Sequence, residues 1–199
     1  MREIIIATFN KDKFKEVKEI LRPLSVRLIP LYELKFPISI KEDGESFFSN
    51  ALKKATVVYK YTKKPCIGED SGLVVFSLGG LPGVHSARFS KERTSLSNNM
   101  KLLNLLKGKP WSKRKAEFIC SVVYVDTQKI CYFEGRIKGY IDYKLKGKHG
   151  FGYDPLFFIP SYKKTFAQLP LSVKNKISHR AKAFKKLKLF LKKEMCYNF

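Results

Sequence analysis

The residues in this chain best suited to chemistry are two adjacent carboxylates, Glu69 and Asp70, followed directly by Ser71-Gly72. They come after a short apolar approach, Pro65-Cys66-Ile67, and before the run Leu73 to Leu78 and a glycine-rich segment, Gly79 to Gly83. Turn-forming residues between two extended runs predict that the acids stand at a bend. Carboxylates displayed there can hold a hard cation or an attacking water, because Mg2+ binds through one or two carboxylates together with substrate phosphates. A solvated acidic turn has the same local sequence, so the pattern leaves both readings open. Glu42, in the acidic turn Lys41 to Ser46, is a further candidate metal ligand, although acids also favour the approach to a helix N-terminus for dipole reasons.

Three other places carry candidate groups. Asn10 and Lys13 sit where a predicted strand passes through a polar turn into a helix, and free N–H groups at such a terminus suit an anion. In Gly150-Phe151-Gly152-Tyr153-Asp154-Pro155, glycines flank an aromatic residue, so the ring can lie across a flat partner such as a nucleobase or can belong to a tight turn with a core ring. Asp154 precedes a proline, which biases it away from helix and turns its carboxylate outward. Finally, Ser178-His179-Arg180 opens a helix. Basic residues there oppose the dipole, a cost that an anion or a polar base edge in front of them would offset. His85 and His149 have no acid or nucleophile nearby that would suggest a triad.

The elements that must position these groups are those of an α/β domain. Glu3 to Thr8 reads as a buried strand, and Phe14, Val17, Ile20 and Leu21 then recur at helical spacing until Pro23. Val26 to Leu31 is a second strand. Ser46 is placed to cap a helix through Phe47, Ala51, Lys54-Ala55 and Val58, with Asn50 either a buried anchor or exposed. Ser95 to Leu106 is helical, Ala116 to Val125 and Lys129 to Ile137 form a hairpin around Asp126-Thr127-Gln128, and Leu156 to Ile159 is a further strand. A last helix carries Phe184, Leu187, Leu191 and Met195 on one face. Trp111, in a basic linker, suits packing and function equally.

With 199 residues and 44% hydrophobic composition the chain is sized for one substantial core, and a single domain over 1–199 is expected. No stretch is long and apolar enough for a membrane span, and the first residues run into a strand instead of a signal peptide, so a cytoplasmic protein is expected. Cys66, Cys120, Cys131 and Cys196 lack C-x-x-C spacing and read as reduced core thiols. The formal charge of +23 is dominated by lysines spread along the chain at predicted helix-surface positions, among them Lys53, Lys54, Lys185, Lys186 and Lys188. Spread charge favours encounter with a polyanionic substrate and does not require dedicated nucleic-acid binding. A basic nucleic-acid-binding protein remains the alternative class.

Taken in order, five blocks resemble the inosine triphosphate pyrophosphatase family. They are Thr8-x-Asn10-x-x-Lys13-x-x-Glu16; Glu42-x-Gly44-x-x-Phe47-x-x-Asn50-Ala51; Asp70-Ser71-Gly72-Leu73 with Leu78 to Arg88; Gly150 to Pro155; and Lys174 with Ile177-Ser178-His179-Arg180. The resemblance implies a homodimer of two-lobed α/β subunits on a long central mixed sheet with flanking helices, and an active-site cleft between lobes. It implies Mg2+-dependent hydrolysis of ITP, dITP and XTP to the monophosphate and pyrophosphate, with a pyrophosphatase of different base preference as the neighbouring alternative. By the same resemblance Asp70 is the proton acceptor and a metal ligand, with Glu42 a second ligand, and Thr8, Asn10 and Lys13 bind the triphosphate. Ser71 contacts substrate, Phe151 stacks on the base with Asp154 nearby, and Lys174, His179 and Arg180 complete the nucleotide site. Three residues depart from the family pattern: Phe9 stands in place of Gly in the first turn, Glu69 in place of Asp, and Ala181 in place of Gly.

Overall fold

A computed structural model of the chain describes residues 2–34 and 39–196, with the side chains of 195 and 196, and so the Cys196 thiol, outside the description. Seven strands form one sheet in the order β2-β1-β3-β4-β5-β6-β7. Its first part is built by a crossover. β1 (Arg2–Ile6) leads through helix α1 (Lys11–Leu21) to β2 (Val26–Pro30), and the two strands pair in parallel from Arg2 opposite Val26 to Ile6 opposite Pro30. A parallel neighbour needs such a crossover, and the helical apolar stripe Phe14, Val17, Ile20 and Leu21 covers the sheet as it passes. Helix α2 (Phe47–Thr62) follows, started by Ser46, whose hydroxyl accepts from the Ser49 N–H in a reciprocal capping box.

β3 (Cys66–Val75) pairs in parallel with β1 and carries the two acids. α3 (Ser95–Leu105), β4 (Lys115–Val125), β5 (Ile130–Ile141), β6 (Phe157–Ile159), β7 (Lys164–Thr165), α4 (Leu171–Ile177) and α5 (His179–Cys196) complete the chain. β5 runs beyond the expected Ile137 because its alternation continues, with Lys138 exposed and Gly139 and Ile141 buried. A Cβ on Gly139 would lie 2.5 Å from the Phe158 carbonyl oxygen, so β6 pairs closely there only because the residue is glycine. Among the described residues no helix is long and apolar enough to cross a membrane.

The chain gathers into two compact units, one of residues 1–70, 120–135 and 179–199, the other of residues 71–119 and 136–178. In the first unit Ile4, Ile6, Ile67, Cys120, Val122 and Tyr124 face α1 and α5, while Ile5, Cys66 and Val123 pack with Ala51, Ala55 and Val58 of α2. Each fully buried aliphatic or aromatic side chain of this kind contributes about 1.5–3 kcal/mol. Both faces of the strands are therefore apolar, as expected of a sheet covered by helices on both sides. The second unit has its own core around Leu73, Leu102, Phe118, Phe157 and Phe166. Trp111 belongs to that unit and packs flat on Tyr140, ring centroids 4.9 Å apart, with the edge of Phe158 5.3 Å away.

α2 approaches β3 most closely at Gly68, where a Cβ would fall 2.0 Å from the Ala51 carbonyl oxygen and 2.7 Å from the Ala55 nitrogen. Gly68→Ala must push α2 off the strand, and overpacking of this kind costs about 1–3 kcal/mol or more. A lowered midpoint in urea unfolding is the expected result; an unchanged midpoint would show that the helix and strand do not meet there.

Candidate active site

Glu69 and Asp70 do not stand at a bend. They lie inside the continuous strand β3, which corrects the sequence expectation, and Ser71-Gly72 continue the strand without turning it. The physical reason is burial on both faces: Cys66, Gly68 and Asp70 belong to one side of the alternation and Ile67, Glu69 and Ser71 to the other. Neighbouring acids in a strand point opposite ways, so each must find its own counter-charge.

On the α2 side, Asp70 is buried and both carboxylate oxygens are engaged. Asn50 Nδ2 donates to Oδ2 at 3.1 Å, and the Lys54 ammonium lies 3.2 Å from Oδ1. Asn50 is the buried anchor: its own carbonyl accepts from the Gly44 N–H at 2.8 Å, which ties the acidic turn to the helix. Glu42 reaches the same Lys54 ammonium at 2.9 Å, and the Glu69 main-chain carbonyl accepts from it at 3.1 Å. Lys54 is thus not the surface lysine expected from composition, but a cation 6% exposed, collecting two carboxylates. Helical spacing identifies it, since it falls on the buried stripe with Asn50, Ala51, Ala55 and Val58.

Burial raises the Asp70 pKa above the ordinary carboxylate value; Lys54 and Lys13 pull against that shift, and Glu42 and then Glu69 reinforce it. For Lys54, burial alone would lower the pKa, but the charges of Asp70 and Glu42 outweigh it and the ammonium is held above its usual value. Asp70 is the group most suited to accept a proton: it is drier than a surface acid, and each bound oxygen keeps a further lone pair.

On the opposite side Glu69 takes part in a different network. Its Oε1 accepts from Arg180 Nη2 at 2.9 Å, and its Oε2 lies 3.3 Å from the Lys13 ammonium. Arg180 Nη1 donates to Glu16 Oε2 at 2.6 Å. Two carboxylates and two cations from α1, β3 and α5 therefore neutralise one another, and these carboxylates raise the Arg180 pKa despite its complete burial. The anions facing the basic start of α5 are side chains of the protein itself. His179, the first residue of α5, is also buried, and Ala181 sits in the core with Val17 and Phe184.

Thr8 and Asn10 shape the turn between β1 and α1. Thr8 Oγ1 accepts from the Asn10 N–H at 3.1 Å, and Asn10, the helix cap, accepts from the Lys13 N–H at 2.9 Å. Phe9 is exposed and its φ is not positive, so this turn does not demand the glycine that the family pattern places there.

The remaining candidates belong to the second unit. Ser71 is half-buried. Phe151 lies in a turn bracketed by Gly150 and Gly152, with φ of +76° and +61°. The Phe151 N–H donates to Asp154 Oδ2 at 2.8 Å, the same oxygen pairs with the buried Lys174 ammonium, and that ammonium lies 4.7 Å from the Phe151 ring centroid. A Cβ on Gly150 would stand 2.0 Å from Asp154 Oδ2, so glycine is what lets the carboxylate fold back under the ring's backbone. Sequence reasoning overlooked Asn98 and Asn99 on α3, two buried amides in an otherwise apolar stripe.

A family model described as the Ham1 family matches residues 4–190. A dITP/XTP pyrophosphatase of Desulforamulus reducens is 44% identical over 186 residues, covering 92% of this chain and 92% of that one. The dITP/XTP pyrophosphatase of Bacillus subtilis is 44% identical over 193 residues, covering 96% and 98%. Among solved structures, a HAM1 protein from Coxiella burnetii superposes with a TM-score of 0.89 at 36% identity, covering 97% of this chain and all (100%) of that one. The Staphylococcus aureus Ham1 protein gives 0.87 at 36% identity over the same shares, 97% and 100%.

Two measurements test the electrostatics. In metal-free protein, carboxyl NMR titration should find Asp70 holding its proton to higher pH than an ordinary aspartate, and Lys54→Met, by removing the opposing charge, should move that titration higher still. A downward move would mean Lys54 is not its counter-ion. Arg180→Leu leaves Glu16 and Glu69 buried without their shared cation, and should lower unfolding stability by about 3–5 kcal/mol, read from denaturant midpoints.

Proposed function

The chain belongs to the Ham1 family, and from that premise we propose that it hydrolyses non-standard purine nucleoside triphosphates, ITP, dITP and XTP, to the monophosphate and pyrophosphate. It is then a hydrolase acting on acid anhydrides. The observation that carries this reading is the buried Asp70, held by Asn50 and Lys54 with its proton affinity raised by burial.

Attack of water at an α-phosphate asks for positioning and charge neutralisation more than for covalent chemistry. Asp70 orients the water and accepts its proton at a carboxylate oxygen. Lys54 keeps that carboxylate fixed, and its charge balances Glu42. Lys13, steadied by Glu69, supplies positive charge to the phosphates, and the capped turn of Thr8 and Asn10 offers them backbone donors. Arg180 serves this group by holding Glu69 and Glu16. Asp70 and Glu42, whose carboxylates converge on the Lys54 ammonium, would hold a magnesium ion, since two carboxylates with phosphates and waters are the donor set Mg2+ takes in preference to a full protein cage. When bound, the ion neutralises phosphate charge.

In the second unit, Phe151 supplies a face for a base, and Asp154 and Lys174 hold the turn that presents it. Ser71 is a further polar contact for substrate. His179 is the candidate donor toward the 6-keto oxygen; adenine would bring an amino group to a donor, and sites of that kind can discriminate by about 10⁴ or more. A homodimer and a cytoplasmic location complete the proposal.

Pyrophosphate release measured over a nucleotide panel should be fast with ITP, dITP and XTP and much slower with ATP, and should stop when EDTA removes divalent metal and return with Mg2+. Asp70→Asn should lower kcat by about 10²–10⁴. Equal rates on ATP would overturn the base preference, and a fully active Asp70→Asn would overturn the role of the acid.

A further inference from the structure

We infer that Asn99, on the buried face of α3, is a positioning residue for the Phe151 turn and thereby for nucleotide affinity; this rests on the reading of Phe151 as the base-stacking ring. The observation is a buried amide that makes poor sense as packing. Asn99 is 2% exposed and shares a helical stripe with Leu102 and Leu106, where an apolar side chain would add stability. Its Nδ2 donates to the Ser95 carbonyl at 2.8 Å within the helix and, 53 residues away in sequence, to the Gly152 carbonyl at 2.8 Å. Its Oδ1 has no hydrogen-bond partner among the described residues. The two carbonyl acceptors fix which end of the amide carries the nitrogen. A buried unsatisfied carbonyl is unfavourable, so the residue's useful work lies in its donor.

Gly152 is the residue right after Phe151 and sits at positive φ, and its carbonyl is the point at which α3 takes hold of the turn. Asp154 and Lys174 restrain the turn through the Phe151 N–H, on one side. Asn99 restrains it on the other, through the carbonyl. The adjacent Asn98 extends the frame: it accepts from the Ser90 N–H at 2.6 Å and donates to the Ala87 carbonyl at 3.3 Å, while the Tyr153 hydroxyl donates to the Ser86 carbonyl at 2.9 Å. α3 thus ties the segment Gly83–Arg88 to the Phe151 turn, and a stacking platform is useful only if its ring is already in place when the base arrives.

Asn99→Asp keeps the shape of the side chain, removes the donor and sets a charge against two carbonyl oxygens. Loss of one such hydrogen bond corresponds to about a five- to tenfold change in an equilibrium. The expected result is a KM for ITP raised by about that factor with kcat within about twofold, the mark of lost uniform binding. The deciding measurement is the same substitution in a Phe151→Ala background, where it should change KM by less than about twofold because the ring it positions is gone. An equal factor in both backgrounds, or an unchanged KM in folded Asn99→Asp, overturns the inference. If Asn99→Asp does not fold by circular dichroism, Asn99→Ala carries the same cycle without the added charge. Phe151→Ala with the KM of the unsubstituted protein would overturn the stacking role and this inference together while leaving the pyrophosphatase reading intact, and a protein that releases no pyrophosphate from ITP would overturn both readings.

Discussion

A strand that is buried on both faces cannot hide two neighbouring carboxylates with one cation. Glu69 and Asp70 sit at such a place, and much of the first unit is arranged around that constraint. Asp70 takes Lys54 from α2, which brings Glu42 and the Asn50 amide with it. Glu69 takes Arg180 from α5 and Lys13 from α1, and Arg180 takes Glu16. Replacing such clusters with apolar residues often costs nothing or even stabilises, so they are better understood as fixing geometry than as adding stability. The geometry fixed here is the orientation of one dry acid, Asp70, and of the Lys13 ammonium on α1.

The two acids consequently have separate duties. Glu69 stands behind burial, the two lysines and Glu42 in its influence on the Asp70 proton. Its larger effect is mechanical, as the link between the core guanidinium and Lys13. The second unit uses the same logic in a smaller form: Lys174 neutralises Asp154, Asp154 holds the Phe151 backbone, and the glycines on either side let the carboxylate come close.

Most of the element order could be read directly from apolar periodicity and punctuation. Phe14, Val17, Ile20 and Leu21 located α1, and Ser46 marked the start of α2 through a cap that the structure contains. The bend expected at Glu69-Asp70 fails because Ser71-Gly72, which read as turn residues, continue β3, and partners from other elements make the burial of both acids tolerable. Lys54 reads as a surface lysine from the chain's composition, although its position on the apolar stripe of α2 contradicts a surface role. Pairings such as Arg180 with Glu16 join residues 164 positions apart and leave no local trace. The motif blocks brought these residues together as a family pattern; the partners each one holds came only with the fold.

The lone tryptophan of the chain sits in the second unit, flat against Tyr140. Its indole emission therefore reports on that unit and is silent about the core formed by α1, α2 and α5. Far-ultraviolet circular dichroism, by contrast, registers the helices of both units. Comparing the two signals during unfolding separates a molecule that melts as one cooperative body from one whose halves come apart in sequence, with no introduced label.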